Sequence, residues 1–580
     1  MSKEIKTGTK NLVKEIKIKI DGKEIKAQEG EILLEVAKKN GIDIPALCYH
    51  PDLKIKANCR MCLVEIKGQK GLQTSCSVPV SEGMEVITNS SEIKKSRKIN
   101  LELIFSQHRE ECFDCVWKHN CQLLKLAREY DVAITRFKDR KSRFPIEIAG
   151  PIEFDWTKCM DCKNCVEMCQ KQGVGFLEIE KKDDFFQVTT SKREDVDCVY
   201  CGQCIVHCPV GAIETTGEFE AIKEPLKKKN KLLIAQIAPS VRTSIGEEFG
   251  IEYGTSITEK LAAALRKLGF DRVFDVCLGS DFTTVEEAKE FIKRLEGKGP
   301  LPLMTSCCPA WVKFVEFYYP EFIPNLTTVR SPHIILGGLV KTYFADKEKI
   351  NPKDIFVVSI MPCTAKKYEI KREELKIDDL YTVDYVLTTR ELVYLLKENK
   401  IDLKKIEPEE LDNPLGFASG AGVIYGASGG VMESALRTAS FDIVGENLKK
   451  VEFYEARGMK GVKRAEVKIG EKRLRIAIVN LLGNAKKVLE ELKREPELYH
   501  YIEVMACPGG CVGGGGQPLP VSQEIRKKRA GGLYKVDKEN KIRLAHENPI
   551  INEVYNSYLT PEKEIHRILH THYIKKQREN

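Results

Sequence analysis

Residues 503–518 read EVMACPGGCVGGGGQP, an apolar run that leads directly into two cysteines and a series of glycines. Because glycine has no side chain, the four residues after Cys511 allow the backbone to approach a bulky group closely. Two other segments carry comparable chemistry, TSCCPAW at 305–311 and MPCTAKKYE at 361–369. Together the three segments predict one cysteine-ligated cluster in the second half of the chain.

The five cysteines of these segments divide into four ligands and one free thiol. Cys307 and Cys308 are adjacent, so their side chains project in different directions and are not expected to bind one iron–sulfur cube. The predicted ligands are Cys308, Cys363, Cys507 and Cys511, with Cys307 beside them. The alternative from the residues alone is a set of buried structural cysteines.

From residue 231 onward, apolar runs alternate with helical stretches. The runs are LLIAQIA (232–238), FVVSIMP (356–362), LRIAIVN (474–480) and YIEVMA (501–506). Short segments that are apolar throughout predict strands buried on both faces of an α/β sheet. Cys363 and Cys507 follow two of these runs, at the carboxyl ends of strands where ligand sites of open α/β sheets lie.

The chain has 580 residues and 21 cysteines, an odd number that excludes complete disulfide pairing within one chain. Its first residues, MSKEIKTGTKNLVKEIK, lack the apolar core of a signal peptide, and no run approaches the length of a membrane span. The net charge of +8 comes from interleaved basic and acidic residues, which argues against nucleic acid as a partner. These features predict a metal-binding protein of the reducing cytoplasm.

Two segments in the first half of the chain repeat the spacing C-x2-C-x2-C-x3-C. Three closely spaced cysteines hold one 4Fe-4S cube, and the fourth is directed to the other cube of the pair. The spacing therefore predicts two 4Fe-4S clusters, with two zinc sites as the alternative. One cluster is assigned to Cys159, Cys162, Cys165 and Cys208, and the other to Cys198, Cys201, Cys204 and Cys169.

A different cysteine set lies nearer the amino terminus, at Cys48, Cys59, Cys62 and Cys76. One distant cysteine and a loop that carries the others are similar to the plant-type and adrenodoxin-like 2Fe-2S domains. The turn residues Asp21-Gly22, between two alternating segments, predict a hairpin in that domain. A structural zinc site is the alternative.

The remaining set is His108, Cys112, Cys115 and Cys121, with the spacing H-x3-C-x2-C-x5-C. The residues alone leave a zinc site and a 4Fe-4S cube equally open. His119 is a competing ligand, but it lies inside the loop and close to Cys121. A histidine ligand would raise the reduction potential of a cube, which suits a point of electron entry.

These patterns predict an α+β multidomain chain with boundaries at changes of pattern. The lysine-rich stretch 226–231 is interpreted as a solvated linker. The predicted domains are a 2Fe-2S ferredoxin-like domain (1–92), a 4Fe-4S domain with one histidine and three cysteine ligands (93–135), a bacterial-ferredoxin-like two-cluster domain (136–225), a large α/β domain that carries the three cysteine segments (231–550) and a carboxyl-terminal segment (551–580) that resembles a small subunit.

The three cysteine segments of the second half resemble the active-site motifs of the FeFe-hydrogenases, and the order of the upstream sets resembles the long, multi-cluster form. The resemblance implies an H-cluster, in which a 4Fe-4S cube is joined to a two-iron unit that bears CO, cyanide and an azadithiolate. It implies that Cys308, Cys363, Cys507 and Cys511 hold the cube, and that Cys511 bridges to the two-iron unit. It gives Cys307 the role of proton shuttle.

The same resemblance implies further site residues. Lys366, with Ser240 and Pro239, would hold the cyanides, and Met361 and Met505 would pack around the two-iron unit. It also favours a 4Fe-4S cube over zinc at the set that includes a histidine. His333 stands where the family is expected to have glutamine, and Ala310 where it is expected to have glycine.

Glu287, Glu290 and Arg294 recur at helical spacing and match the family's acidic proton path. That path also includes Glu369 and a hydroxyl, for which this chain has Thr327 in place of an expected serine. The alternative from spacing alone is a solvated helix face. The pattern at Thr283 and Glu286 further predicts a capping box, and therefore a helix start. Cys277 receives no predicted role.

The resemblance implies reversible oxidation of H2, with electrons relayed through the amino-terminal clusters. The partners expected are ferredoxin, or flavin- and NADH-binding subunits of an electron-bifurcating complex in an anaerobe, because the chain itself carries no flavin or nicotinamide domain. The G-x-G-x-x-x-G pattern at 420–426 does not fit the nucleotide fingerprint. The histidines in IHRILHTHY (565–573) predict a docked helix rather than a metal site. The alternative function is a non-catalytic iron–sulfur assembly or sensory protein.

Overall fold

The computed structural model describes residues 14–579, apart from gaps at 109–111, 113–114, 133–135, 138–145, 183–184, 218–220, 414 and 448–449. The chain divides into two compact units. The first comprises 1–145, 156–164 and 209–211, and the second comprises 146–155, 165–208 and 212–580. The first residues of the predicted 2Fe-2S domain, 1–13, lie outside the described part of the chain.

The first unit is built on a small mixed sheet. Its elements are β1 (Glu15–Ile20), β2 (Lys23–Gln28), α1 (Leu33–Lys39), β3 (Leu63–Ile66), β4 (Gln73–Thr74), β5 (Glu85–Ile87), α2 (Ser91–Phe105) and α3 (Gln122–Glu129). The strand order is β2-β1-β5-β3-β4, and α1 packs into the same apolar core. The predicted hairpin is confirmed, because Asp21 and Gly22 join β1 to β2 with the positive φ angles of 48° and 81° that a type I′ turn requires.

The second unit begins with short elements around the cysteine repeat and continues into a large α/β region. The short elements are β6 (Glu147–Ala149), β7 (Ile152–Phe154), α4 (Asn164–Lys171), β8 (Leu177–Lys182), β9 (Phe185–Thr190), α5 (Gln203–Val206), β10 (Ile213–Thr215) and α6 (Lys223–Lys228). The first half of the α/β region contains β11 (Leu232–Ile237), α7 (Thr258–Leu268), β12 (Arg272–Asp275), α8 (Val276–Leu295), β13 (Leu303–Met304), α9 (Pro309–Tyr318), α10 (Pro332–Leu339), α11 (Ala345–Glu348), β14 (Ile355–Met361), α12 (Ala365–Glu369), β15 (Tyr385–Thr388) and α13 (Thr389–Glu398). Its second half contains α14 (Gly420–Val423), α15 (Gly430–Val444), β16 (Val462–Ile469), β17 (Lys472–Asn480), α16 (Leu482–Arg494), β18 (Tyr501–Met505), α17 (Gln523–Glu539), α18 (Pro549–Ser557) and α19 (Glu562–Leu569).

Two four-stranded sheets organise this region. One has the order β12-β11-β14-β15 and is parallel throughout, and the other has the order β13-β18-β17-β16 with only β16 antiparallel. Their central strands are buried on both faces, as the continuous apolar runs predict. The predicted α+β multidomain architecture is thereby confirmed.

Two local predictions are wrong. Part of the lysine-rich stretch predicted as a linker is helical, because it belongs to α6, whose first turn is tied to its last by a Glu224–Lys228 ion pair. The capping box is also absent. The helix α8 already begins at Val276, with the side chain of Asp275 accepting from the backbone N–H of Cys277, and Thr283 lies in its interior.

The glycines at 420–426 serve close helix packing. A Cβ atom on Gly422 would lie 2.3 Å from the carbonyl oxygen of Cys277, and one on Gly420 would lie 2.4 Å from a carboxylate oxygen of Asp537. The absence of side chains therefore lets α14 approach α8 and α17. Among the described residues, no helix combines the length and apolarity that crossing a membrane requires.

Candidate active site

The four predicted ligand cysteines line one cavity in the second unit. Cys363 and Cys507 lie two residues beyond the carboxyl ends of β14 and β18. Cys308 directly precedes α9, and Cys511 begins a single 3-10 turn. Four separate segments thus bring four thiols to one place.

The glycine-rich loop after Cys511 is held by contacts between backbones. A Cβ atom on Gly514 would lie 2.2 Å from the carbonyl oxygen of Pro362, next to Cys363. Gly510 has a φ of 88°, and a Cβ atom there would lie 2.6 Å from the backbone nitrogen of Ser428. Because side chains cannot fit at these points, Gly514 sets how closely the backbone approaches the segment that carries Cys363, and Gly510 sets how closely it approaches Ser428.

The electrostatics of the cavity favour a bound metal cluster. Burial raises the pKa of Cys363 to about 12 and raises that of Cys511 above its ordinary range, and neighbouring thiols add to both effects. Without metal these groups remain protonated, whereas iron replaces the protons and binds the thiolates. Four cysteines beside walls formed by Val276 and Met505 therefore fit a 4Fe-4S cube in dry surroundings.

We expect Gly514→Ala to lower the iron content by about four atoms per chain, because the added Cβ would force the loop away from Pro362. Iron analysis of the purified protein measures the loss. Gly531→Ala is the matched control, since its Cβ would meet no atom within 4 Å, and it should keep the wild-type content. Full iron content in Gly514→Ala would contradict the proposed packing of the loop.

Polar groups enter the same cavity beside the cysteines. The ammonium of Lys366 donates to the backbone oxygen of Cys307 at 3.1 Å and to Glu369 Oε2 at 2.6 Å. Burial alone would lower the pKa of Lys366, but Glu369 outweighs it and raises that pKa, so the group stays charged. The structure brings together all five residues expected around the two-iron unit, which are Pro239, Ser240, Met361, Lys366 and Met505.

Cys307 also lines the cavity, and Glu287 lies behind it on α8. Burial raises the pKa of Glu287 to about 8, although a hydrogen bond from Tyr501 acts in the opposite direction. Its Oε2 has no hydrogen-bond partner among the described residues. Burial and Glu287 also raise the pKa of Cys307 well above its ordinary value. Both groups therefore hold a proton near neutral pH and can donate it.

Glu290 lies beyond Cys307 and Glu287, nearer the protein surface. Thr327 donates from Oγ1 to Glu290 Oε2 at 2.7 Å, and Arg294 donates from Nη2 to Glu290 Oε1 at 2.5 Å. The hydroxyl that replaces the expected serine therefore still reaches the carboxylate. Among the predicted path residues, Glu287, Glu290, Arg294 and Thr327 lie in one connected region of the second unit.

Glu369, the remaining residue of the predicted proton path, is held by two close neighbours. It lies on α12, where His333 Nε2 is 2.5 Å from Oε2 and Lys366 contacts the same oxygen. Burial alone would raise the pKa of Glu369, but these two neighbours lower it to about 2. A carboxylate so strongly held is suited to fixing neighbours rather than to exchanging protons.

Two tyrosines that the sequence did not single out, Tyr501 and Tyr425, and His570 of the histidine-containing tail complete the region. Tyr501, on β18, donates a hydrogen bond to Glu287 on α8. Tyr425 lines the cavity, and its hydroxyl is 2.9 Å from Thr284 Oγ1. His570 Nδ1 is 2.8 Å from Thr328 Oγ1 and its Nε2 is 3.0 Å from Glu286. The helix α19 before it packs on α10 and α8, as predicted for the histidine-containing tail.

The cysteine repeat approaches the cavity within the second unit. Cys169, Cys198, Cys201 and Cys204 lie close enough for their charges to interact, and burial is the main cause of their raised pKa values. A Cβ atom on Gly515 would lie 2.6 Å from the carbonyl oxygen of Cys201. The loop that follows Cys511 therefore touches the second predicted 4Fe-4S site directly.

The other predicted sets lie wholly or partly in the first unit. There Cys48 pairs with Cys59 and Cys62 pairs with Cys76 through hydrogen bonds between side chains. All four are buried, which is consistent with one shared metal site. Of the other repeat set, Cys159 and Cys162 belong to the first unit, and Cys165 and Cys208 belong to the second.

His108 has the geometry of a histidine ligand. Its Nδ1 lies 2.9 Å from the carbonyl oxygen of Lys158, which can only accept, so Nδ1 carries the proton and the lone pair is on Nε2. Cys112, Cys115 and Cys121 are half-buried, while residues between them lie outside the described part of the chain.

Family models match five segments of the chain. A family model described as iron only hydrogenase large subunit, C-terminal domain, matches residues 231–515. Models for a 2Fe-2S iron-sulfur cluster binding domain, an NADH-ubiquinone oxidoreductase-G iron-sulfur binding region and a 4Fe-4S dicluster domain match 13–91, 97–136 and 158–212. The iron hydrogenase small subunit model matches 523–576.

Over its whole length the chain is similar to the NADP-reducing hydrogenase subunit HndD of Solidesulfovibrio fructosivorans, with 42% identity that covers 97% of this chain and 99% of that protein. The chain belongs to the FeFe-hydrogenases. Iron hydrogenase 1 of Clostridium pasteurianum is 38% identical and covers 96% of this chain and 99% of its own length. The expected family, and with it an oxidoreductase that uses iron–sulfur clusters and an H-cluster, is confirmed.

A solved structure and a more distant relative complete the comparison. A variant of the [FeFe]-hydrogenase HydA1 from Chlamydomonas reinhardtii covers 62% of this chain and 99% of its own, with a TM-score of 0.57 and 38% identity. The cytosolic iron-sulfur assembly component 3 of Mus musculus is 31% identical over 71% of this chain and 92% of its own length. Identity to the two hydrogenases is higher, at 42% and 38%, and extends over 97% and 96% of the chain, so the assembly alternative is not favoured.

Proposed function

We propose that this FeFe-hydrogenase interconverts H2 with protons and electrons at the cavity between Cys307 and Cys511. The observation that supports this most directly is the convergence of four cysteines, a free thiol and the ammonium of Lys366 on one buried cavity. When bound there, the H-cluster would supply the iron at which hydrogen is cleaved or formed. Cys308, Cys363, Cys507 and Cys511 would hold its cube.

In this proposal the protein moves protons through its own side chains. Cys307 exchanges a proton with the reacting group, and Glu287 restores the protonation state of Cys307. Glu290 continues the route, with Thr327 and Arg294 as its hydrogen-bond partners. Lys366 would hold the anionic ligands of the two-iron unit with help from Ser240, because a charged donor is strongest in a dry site.

We further propose the five predicted domains, with the boundaries that the sequence patterns set, and place one 2Fe-2S cluster and three accessory 4Fe-4S clusters in the first three of them. The cluster held by Cys198, Cys201, Cys204 and Cys169 would pass electrons to the cavity, since the backbone at Cys201 touches the glycine-rich loop. The 2Fe-2S and His108 sets would be the entry points. Together with a loaded H-cluster, this predicts about 20 iron atoms per chain.

The proposed electron partners are ferredoxin or nucleotide-binding subunits, as the family resemblance implies. We propose that it works in the cytoplasm with ferredoxin, or as the catalytic subunit of a hetero-oligomer whose other subunits bind flavin and a pyridine nucleotide. The relative HndD carries the name of a subunit of an NADP-reducing hydrogenase, which supports the second arrangement. Assays with NADH and with NADPH would identify the nucleotide.

Hydrogen evolution from reduced viologen tests the central proposal. The full chain, with its iron–sulfur clusters in place, is expected to be inactive until a synthetic two-iron azadithiolate complex is added, and active afterwards. Iron analysis should give about 18 atoms before and about 20 after the addition. A chain that takes up the full iron load and still produces no hydrogen would favour the assembly or sensory alternative.

A further inference from the structure

A chain of five buried polar side chains runs beside the cavity. It begins at Gln236 on β11, where Nε2 donates to Ser359 Oγ on β14 at 2.5 Å. Ser359 Oγ is 3.0 Å from His333 Nδ1, and His333 Nε2 is 2.5 Å from Glu369 Oε2. Lys366 completes the chain through its contact of 2.6 Å with the same oxygen. Each of the five residues is less than a tenth exposed.

The donor and the acceptor of each hydrogen bond in this network can be assigned consistently. Burial, and secondarily the nearby charge of Lys366, lowers the pKa of His333 to about 4, so the imidazole is neutral at pH 7. A carboxylate accepts only, so His333 donates from Nε2 to Glu369 and accepts at Nδ1. Ser359 supplies that proton, and its oxygen in turn accepts from Gln236. Each of these hydrogen bonds has one donor and one acceptor.

The orientation of His333 is fixed by its backbone as well as by its ring. Gln236 Nε2 also donates to the carbonyl oxygen of His333 at 2.9 Å, at the amino-terminal turn of α10. The ring is therefore tied to two strands of the parallel sheet on one side and to α12 on the other. Because His333 also lines the cavity, this rigid connection reaches the site itself.

Lys366, the last residue of this hydrogen-bond network, has one N–H group that the described residues leave unused. An ammonium has three N–H groups. Among the described residues, two of them are used, one by Glu369 and one by the backbone oxygen of Cys307. These two acceptors define the direction of the third N–H, and Lys366 itself lines the cavity.

We propose that His333 is a positioning residue which, through Glu369, orients the third N–H of Lys366 toward an anionic ligand in the cavity. This inference rests on the proposed function, because the anionic ligand in question is a cyanide of the two-iron unit. His333 has no proton-transfer role in this arrangement. Its contribution is geometric, and it acts on how the cofactor is captured and held before any turnover takes place.

Uptake of the cofactor tests the inference without relying on activity. The probe is a synthetic two-iron azadithiolate complex bearing CO and cyanide, titrated into the full chain that carries its iron–sulfur clusters. We expect His333→Ala to weaken uptake about tenfold and to shift the cyanide infrared bands, because a charge-assisted hydrogen bond loses its alignment. His333→Gln keeps an N–H donor for Glu369 and should recover most of the affinity.

A double-mutant cycle separates this role from simple packing. If His333 acts through Glu369, then adding His333→Ala to Glu369→Gln should weaken uptake no further than Glu369→Gln alone. His546→Ala is the matched control, since His546 is a half-buried histidine that hydrogen-bonds Thr438 and does not line the cavity. It should leave uptake and the cyanide bands unchanged.

Each outcome decides between distinct hypotheses. Wild-type protein that fails to take up the probe would overturn the proposed function itself. Wild-type uptake together with unchanged uptake and bands in His333→Ala would overturn only the positioning role. If His333→Ala does not fold, Ser359→Ala replaces it, because loss of the hydroxyl frees Nδ1 and should shift the cyanide bands in the same direction by a smaller amount. Unshifted bands in that variant would also overturn the inference.

Discussion

Cys307→Ala is expected to reduce hydrogen turnover at least a hundredfold while leaving the cofactor in place, because removing a general acid or base costs about that much. Cys307 lines the cavity but is not one of the four predicted ligands, and its raised pKa keeps the thiol protonated. The measurement pairs viologen-driven hydrogen evolution with infrared spectra. The CO and cyanide bands should persist in the inactive variant.

Cys277→Ala is the natural control for this experiment. Cys277, like Cys307, is a cysteine of the second unit outside the predicted ligand sets, but it is fully buried, its Sγ accepts from Arg242 at 3.1 Å, and it does not line the cavity. We expect near-normal turnover in that variant. If Cys307→Ala retained wild-type turnover with intact bands, the first step of the proton route would have to be assigned to another group.

Glu287→Gln is expected to lower turnover about a hundredfold or more, since glutamine keeps the shape of the side chain but cannot release a proton. Burial raises the pKa of Glu287 to about 8. The carboxyl should therefore be protonated below pH 8 and ionised above it. Difference infrared spectra should show a protonated carboxyl band that disappears as the pH rises through 8, and the variant should lack that band at every pH.

Glu286→Gln tests the specificity of this effect. Glu286 is the adjacent carboxylate on α8, but it faces away from Glu287 toward Lys289, Tyr555 and His570. Burial would raise the pKa of Glu286, but these contacts lower it to about 2, so it gives no protonated band near neutral pH. A band that survives in Glu287→Gln and vanishes in Glu286→Gln would reverse the assignment.

Sequence patterns were informative where the chemistry is encoded over a few residues. Continuous apolar runs identified the buried strands, and Cys363 and Cys507 follow two of those runs, which indicated the edge where the cavity lies. The turn at Asp21-Gly22 was equally local. In each case the relevant contacts involve neighbours in the chain or follow from the geometry of a single element.

The features that the sequence did not predict correctly depend on residues outside the local pattern. Thr283 and Glu286 have the spacing of a capping box, but the pattern does not reveal whether a helix begins there or has already begun, and the apolar residues from Val276 onward extend α8 backward. Tyr501 reaches Glu287 from 214 positions away, so no local signal marks the pair. The contact between His333 and Glu369 was likewise not predicted, because the two residues lie 36 positions apart.

The scattered origin of the cavity cysteines has a consequence for how the protein acquires its metal. Cys159, Cys162 and Cys165 lie within seven residues, so even an unfolded segment can chelate iron through them. Cys308 and Cys511 are about 200 residues apart, and closing such a loop without the fold is entropically costly. Accessory sites can therefore nucleate on an incomplete chain, whereas the cavity exists only after long-range folding is finished. Occupancy of the cavity thus reports on the integrity of the native state, which iron bound at the local motifs does not.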